Sequence, residues 1–211
     1  MTDEGRAHLA GIIEGRRSVR RYTANPVPDD DVERMISAFR WAPSGSNKQP
    51  WFLIASRNAA FNAAAAGAVR DEVAGIVRRA PGFAQTGENL VRYATFFEKA
   101  PLVFYVAGEP QPSRWRKQLE ALLPGHPAAG ASLSWLVSTA AAIQNLLLTA
   151  HALGYGACWL GAPLVARERL ERHLEPPDGR RLTAIIPVGR PAETPRPPAR
   201  RDREETCRRV D

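Results

Sequence analysis

The pattern of apolar and polar positions centres on residues 131–153, which contain no Lys, Arg, Asp or Glu. Apolar or small residues occupy nearly the whole helical wheel, and the pattern predicts a long buried helix. Its polar residues form one narrow stripe: Ser134, Ser138, Asn145 and Thr149. Eight polar residues within this stretch favour a protein core over a membrane span. Gly154 is expected to end the helix in a left-handed turn.

Shorter periodic segments predict helices and strands on both sides of this helix. The predicted helices are 3–14, the one that Asp29–Asp31 caps, 58–80, 86–97, 113–123 and 163–174. Runs of apolar residues predict the strands 51–55, 101–107, 156–161 and 182–188. Helices between spaced apolar strands indicate an α+β or α/β sandwich.

The length of 211 residues fits a single domain, 1–211, in which two segments stand apart. Residues 108–130 are irregular and carry Trp115, and we expect them either to cover an active site or to pack on themselves as a surface excursion. Residues 191–211 are rich in proline and arginine and are expected to form an extended C-terminal arm.

The charge balance is basic, with a net charge of +7 and a pI near 10.1. Such a balance suits nucleic acid, a membrane surface or a small anionic ligand, and it also serves plain solubility. Cys158 and Cys207 do not make a disulfide framework, and no signal peptide is visible, so a cytoplasmic location is expected. The four histidines lack the spacing of metal ligands, and we expect no metal site.

The common catalytic motifs are missing from the sequence. It contains no G-x-S-x-G elbow, no Walker loop and no H-E-x-x-H pair. Gly154 and Gly156 lead from a helix into a strand, which is the reverse of a dinucleotide-binding fingerprint. An enzyme with this sequence would take its chemistry from a bound cofactor.

Two segments are suited to an anionic, planar ligand. In residues 16–20, guanidinium groups and the hydroxyl of Ser18 could clamp a phosphate, although a solvated basic turn has the same composition. In residues 43–47, short polar side chains and a glycine expose backbone groups that suit the edge of a heteroaromatic ring. An ordinary loop between a helix and a strand remains the alternative.

Four segments keep a characteristic order along the chain: RRSVRRY at 16–22, APSGSNKQPW at 42–51, GYGACWLGA at 154–162 and IIPVGRPAE at 185–193. Taken together they resemble the nitroreductase family of FMN-dependent oxidoreductases, over roughly residues 9–205. The resemblance implies an α+β fold with a central mixed or antiparallel sheet flanked by helices. It also implies an intertwined homodimer with two flavin sites at the subunit interface and the long helix at its centre.

The resemblance assigns cofactor contacts to four parts of the chain. The FMN phosphate, ribityl chain and pyrimidine edge would be bound by Arg16, Arg17, Ser18 and Arg20. The loop that reaches the flavin of the other subunit would contain Pro43, Ser44, Gly45 and Asn47. The strand end whose backbone approaches the isoalloxazine would be Trp159, Leu160 and Gly161. The phosphate would be closed off by Arg200 and Arg201, whereas Arg190 is interpreted as structural.

The implied reaction is a ping-pong hydride transfer. NAD(P)H reduces FMN and leaves, and an electron-poor small molecule of nitroaromatic, quinone or enone type takes the electrons, with no catalytic side chain or membrane involved. The alternatives are a basic nucleic-acid-binding protein, a flavin protein without turnover, or a specialised flavin- or deazaflavin-related member of the superfamily. Relatives that fragment flavin to make dimethylbenzimidazole usually carry an acidic residue where this chain has Ser18.

Overall fold

The computed structural model describes residues 2–110, 112, 114–129, 133–177 and 179–210. Within these ranges the α-helices are α1 (Asp3–Gly15), α2 (Asp29–Arg40), α3 (Ala59–Arg79), α4 (Ala84–Thr95), α5 (Arg114–Leu122), α6 (Ser134–Ala152), α7 (Arg167–Leu174) and α8 (Arg203–Thr206). The strands are β1 (Trp51–Ser56), β2 (Leu102–Gly108), β3 (Gly156–Ala157) and β4 (Arg181–Gly189). The predicted α+β class is confirmed.

The four strands form one antiparallel sheet in the order β1-β2-β4-β3. β2 lies between two neighbours, and all seven of its residues are buried. A strand covered on both faces needs apolar side chains at every position, which is why residues 101–107 carry no charge. The pairing of β2 with β4 shifts by one residue at Val106, where a bulge interrupts the ladder.

Successive side chains of β2 point to opposite faces of the sheet and enter two separate cores. Phe104 belongs to a cluster that also contains residues of α2 and α6. Tyr105 belongs to a second cluster, formed with residues of α3, α4 and α7. The sheet is therefore the middle layer of three, and helices cover both of its faces.

Helix α6 is the long apolar helix that the pattern predicts, although Ala131 and Ser132 lie outside the described residues. The hydroxyl of Ser138 donates to the carbonyl of Ser134, and the amide of Asn145 donates to Ala38 O on α2 at 3.1 Å. These bonds satisfy Ser138 and Asn145, two residues of the polar stripe, within the otherwise apolar packing of α6. Gly154 follows the helix with φ of 79°, so the expected left-handed stop is confirmed.

Three predicted boundaries are wrong. The strand predicted at 156–161 pairs as a ladder only at Gly156–Ala157, followed by an isolated bridge between Leu160 and Ile185. The helix predicted at 163–174 starts as a 3₁₀ turn, Ala162–Ala166, because Pro163 sits at its beginning. Thr86 does not cap α4, which begins two residues earlier after another 3₁₀ turn.

Helix α1 has an apolar side, as predicted, but buries none of its residues. Leu9 and Ile13 remain 44% and 51% exposed. Leu136 and Val137 of the neighbouring α6 are also exposed, by 40% and 67%. Side chains of this kind gain free energy only when a further surface covers them.

Among the described helices, none has the length and apolar character needed to cross a membrane.

Replacing Tyr105 by Phe should destabilise the fold. The Tyr105 hydroxyl donates to Asn62 Oδ1 at 2.8 Å, and both residues are fully buried. The substitution leaves the Asn62 oxygen without a donor, so we expect the free energy of unfolding to fall by about 1–3 kcal/mol in urea titrations. Tyr93→Phe, at a half-exposed tyrosine, is the control and should change it by under about 0.5 kcal/mol. Equal losses in the two variants would contradict the assignment.

Candidate functional site

Residues 16–23 leave α1 and run as an extended segment between the sheet edge and the C-terminal arm. Near its start Ser18 bridges Ala157 of β3, and Val19 N donates to Ala157 O at 3.1 Å. Near its end Tyr22 pairs with Pro191. The backbone of the segment is therefore held at two places, and this fixes the positions from which its arginine side chains extend.

This segment and the arm enclose a cavity of about 340 Å3. We call it the arginine groove, and it is lined by Arg16, Arg17, Ser18, Arg20, Pro195, Arg196, Pro198 and Arg200. Five of these residues are arginines and none is acidic. The structure thus brings the predicted residues of the N-terminal segment together with Arg200, whereas Arg201 does not line the groove.

The arginines of the groove differ in how far they are already bound. The guanidinium groups of Arg16, Arg196 and Arg200 make no hydrogen bond or ion pair within the described part of the chain. Arg17 instead donates to the carbonyls of Glu14 and Arg16, where it caps the end of α1. The groove therefore offers unsatisfied, charged donors, which suit a phosphate or another small anion.

The histidine next to the groove responds to the same positive charge. His151 lies at the end of α6, and its Nε2 is within 3.0 Å of the position that a Cβ on Gly15 would take. Burial and the nearby guanidinium groups of Arg16 and Arg17 lower the pKa of His151. The imidazole is therefore more readily neutral, and it leaves the arginines as the charged donors of this region.

The segment around β3 approaches the arginine segment through a glycine. A Cβ on Gly156 would lie 2.6–2.7 Å from the side chain of Val19, which is itself buried. Cys158 is also buried, and burial raises the pKa of its thiol. A protonated, enclosed thiol is a poor nucleophile, so Cys158 serves packing beside Ser18.

Residues 159–161, which were predicted to contact the flavin, follow directly. Their backbone groups differ in whether they are already hydrogen-bonded within the chain. Leu160 exchanges both backbone hydrogen bonds with Ile185, at 2.9 and 3.1 Å, and its side chain is buried. Trp159 is 41% exposed. A Cβ on Gly161 would meet no atom within 4 Å, and no described residue accepts a hydrogen bond from its N–H. Gly161 therefore presents an open backbone donor, whereas Leu160 is bound into the sheet.

The loop at 43–47 is strained and lies against α6. Ser46, Asn47 and Gln49 adopt left-handed φ values of 55°, 51° and 46°, which costs a non-glycine residue on the order of 1 kcal/mol or more. The left-handed residues of this loop therefore do not include its glycine, Gly45. The hydroxyl of Ser44 accepts a bond from Gln49 N at 2.9 Å, and Gly45 N donates to Ser138 Oγ at 3.4 Å.

This loop does not line the arginine groove of its own chain. It borders a second cavity of about 550 Å3, which contains Arg40, Trp41, Ala42, Asn47 and Gln49. Trp41 is 83% exposed there. The loop that carries Pro43, Ser44, Gly45 and Asn47 is thus held against α6 through Gly45, at a separate place from the arginine groove.

Several residues outside the predicted set also belong to the site. Arg196 lines the groove, and Glu193 accepts hydrogen bonds from the arginine segment. The alternation of proline and arginine in residues 195–200 is the signal for Arg196, since it spaces side chains along an extended arm. Arg190 is structural, as predicted, because Nη1 donates to the carbonyls of Leu153 and Gly154 behind α6.

The chain is similar to known proteins over most of its length. The family model named Nitroreductase family matches residues 13–190. A Methanothermobacter thermautotrophicus protein, assigned as an NADH dehydrogenase/NAD(P)H nitroreductase, is 29% identical over 185 residues, which are 87% of this chain and 77% of that protein. The 5,6-dimethylbenzimidazole synthase of Rhodobacter capsulatus is 29% identical over 202 residues, covering 88% and 84%.

Solved structures share the fold. A BluB-like flavoprotein from Clostridium difficile 630 superposes with a TM-score of 0.89 and 26% identity, over 96% of this chain and 99% of that one. The FMN-dependent nitroreductase NfnB from Mycobacterium smegmatis, in complex with NADPH, has a TM-score of 0.73 and 21% identity over 97% and 99%. The likeness to NfnB bears on the fold alone.

Gly156→Ala should move the arginine segment and weaken the fold. The new methyl group would overlap Val19, so we expect a loss of about 1–3 kcal/mol in the free energy of unfolding, measured by urea titration without ligand. Gly161→Ala is the matched control on the same segment, because its methyl group would enter open space and should cost under about 0.5 kcal/mol. A larger loss in the Gly161 variant would refute this reading of the contact.

Proposed function

We propose, since this chain belongs to the nitroreductase family, that it is an oxidoreductase that binds FMN and uses NAD(P)H to reduce an electron-poor small molecule. Quinones, enones and nitroaromatic compounds are the proposed substrates. The observation that carries the proposal is the arginine groove, in which both ends of the chain meet around one cavity without an acidic residue.

The groove fits the phosphate of FMN. Arg16 and Arg200 come from opposite ends of the chain, and neither guanidinium is bound to a described residue. Guanidinium groups bind phosphate oxygens through paired hydrogen bonds, and Ser18 adds a hydroxyl to the same lining. Arg17 would contribute charge more than hydrogen bonds, because its Nη1 already serves the end of α1.

The ring system of the cofactor would extend from the groove towards Gly161. The bridge between Ser18 and Ala157 places the arginine segment beside the strand that leads to Trp159 and Gly161. When bound, FMN supplies the redox chemistry, because it accepts a hydride from NAD(P)H and passes the electrons on. The N–H of Gly161 would donate to the ring, and the guanidinium of Arg20 would stabilise negative charge at the pyrimidine edge.

We propose that the functional unit is a homodimer with the flavin sites at its interface. Apolar side chains of α1 and of α6 are exposed within the chain, and α1 buries none of its residues. The loop at 43–47 leans on α6 through the bond from Gly45 to Ser138. Pairing along α6 would therefore bring this loop to the partner's flavin.

The segment 108–130 is proposed to cover the substrate side of the site. Its helix α5 buries no residue, and Trp115 and Leu122 are 53% and 70% exposed. Lys48, next to the strained loop, donates from Nζ to Pro112 O at 3.2 Å, which ties the beginning of the segment to that loop. Exposed aromatic and apolar groups beside a cofactor suit a planar substrate.

We also propose that the enzyme works in the cytoplasm.

Flavin fragmentation is the second candidate function. It is favoured by the TM-score of 0.89 with the BluB-like flavoprotein and by the similarity to a 5,6-dimethylbenzimidazole synthase. Ser18 stands against it, because this chain has a hydroxyl where such relatives usually carry an acid. Aerobic incubation with FMN, NADPH and an added quinone separates the two candidates. Chromatographic detection of 5,6-dimethylbenzimidazole supports fragmentation, whereas intact FMN and a reduced quinone support the first proposal.

The first proposal predicts a flavin spectrum that NADPH bleaches without oxygen. Arg16→Ala should weaken FMN binding about 10- to 150-fold, the worth of a charge-assisted hydrogen bond, in fluorescence titrations of the apoprotein. Arg6→Ala is the control, since exposed Arg6 pairs with exposed Asp3 and does not line the arginine groove. A colourless protein that cannot be loaded with FMN, but binds nucleic acid with a steep salt dependence, would support the basic-protein alternative.

The proposed dimer predicts that Val137→Asp produces monomers. Val137 lies on the exposed side of α6, and a carboxylate there would be desolvated in an apolar interface. We expect sedimentation velocity to show half the particle mass and FMN affinity to fall with it. Val210→Asp, at an even more exposed valine in the arm, should leave both unchanged. A wild-type chain that sediments as a monomer would contradict the proposed dimer.

A further inference from the structure

We propose that Glu193 is the positioning residue of the arginine groove. It latches the C-terminal arm to the arginine segment and so sets Arg196 and Arg200 opposite Arg16. The inference rests on the proposed function in one respect, namely that the ligand of the groove is the FMN phosphate. The latch itself is a contact within the chain and can be tested without any ligand.

The carboxylate of Glu193 binds three donors of the arginine segment. Oε1 accepts from the backbone N–H of Arg20 at 2.7 Å and of Arg21 at 3.2 Å. Oε2 accepts from Arg21 Nε at 2.9 Å. The Glu193 side chain is only 18% exposed. Both oxygens are thus used, and the contact fixes the backbone from which Arg20 enters the groove.

Glu193 is also the last attachment of the arm before its groove residues. Thr23 N donates to Arg190 O and Ala192 N donates to Arg21 O, both at 2.9 Å. Beyond Glu193, residues 194–201 make no hydrogen bond to the rest of the described chain. The direction of residues 194–201 is therefore set by the Glu193 carboxylate and by the stiffness of the arm itself.

Because the sequence of the arm makes it stiff, holding Glu193 in place also positions the side chains that follow it. Pro195, Pro197 and Pro198 restrict φ and favour an extended course. A chain that is stiff over this distance carries the orientation of Glu193 forward to Arg196 and Arg200. Convergence of five arginines is opposed by their mutual repulsion. A carboxylate beside Arg20 and Arg21 offsets part of that repulsion and keeps the arm in place.

The ionisation of Glu193 agrees with this role. The hydrogen bond from the Arg20 N–H is the largest cause that lowers the pKa of Glu193, and the side chain of Arg21 adds to it. The folded-state pKa therefore lies below the unfolded one. The stabilisation is present above the unfolded pKa and is lost as the pH falls through the folded value, so the latch stays closed at neutral pH.

The first test measures FMN affinity in Glu193→Gln, Arg200→Ala and the double variant. We expect Glu193→Gln to raise the dissociation constant about tenfold, because an amide loses the charge-assisted bonds. Added to Arg200→Ala, it should have a smaller effect, since one of the two arginines that it positions is gone. Two independent, multiplying effects would mean that Glu193 acts on stability alone and would overturn the proposal. Glu205→Gln, on the exposed end of the arm, is the control.

The second test uses trypsin without flavin. In the wild-type chain, cleavage after Arg200 and Arg201 should be slow, and Glu193→Gln should accelerate it, while Glu205→Gln should not. Unchanged cleavage in the Glu193 variant would overturn the latch even if FMN binds. If the wild-type chain binds no FMN, the proposed function fails, and accelerated cleavage would still support the latch. Circular dichroism confirms that both variants are folded before either test.

Discussion

The site depends on backbone pairing along the arginine segment. Residues 16–23 belong to no helix and to no main strand, so their N–H and C=O groups need partners from elsewhere. Ala157 supplies them near the start of the segment, and Arg190 and Ala192 supply them near its end. Side chains of like charge do not assemble by themselves. Here the backbone pairing of the segment, together with the carboxylate of Glu193, offsets part of the electrostatic cost of bringing the arginines together.

The backbone pairing of residues 16–23 also requires that the packing of the core leave space for this segment at the sheet edge. β4 lies between β2 and β3, and its far end leads directly into the arm, so the packing of the sheet fixes where the arm begins. Gly156 lets Val19 approach the sheet edge at a distance that no other residue would permit. α6 then closes the layer behind β3 and exposes an apolar face on its other side. One layer thereby borders both the cavity and the surface of the proposed dimer.

Local patterns could be predicted from the sequence, and non-local pairing could not. The periodicity of α2 and α3 and the apolar run of β2 gave correct elements, since each is decided by neighbours in the chain. The short β3 could not be foreseen, because a partner in β4 decides which of its residues pair. The groove arginines are recognisable by composition, whereas Glu193 is recognisable only once Arg20 and Arg21 lie beside it.

The basic composition acquires a meaning from how charges are distributed. Arginines outside the groove are commonly paired: Arg70 with Glu98, Arg169 with Glu72 and Arg181 with Glu171. Exposed pairs of this kind contribute little to stability, but they cancel the field of each guanidinium nearby. The groove has five arginines and no acid in its lining. Positive charge is therefore concentrated around a cavity that can admit a small anion, which agrees with the proposed phosphate site.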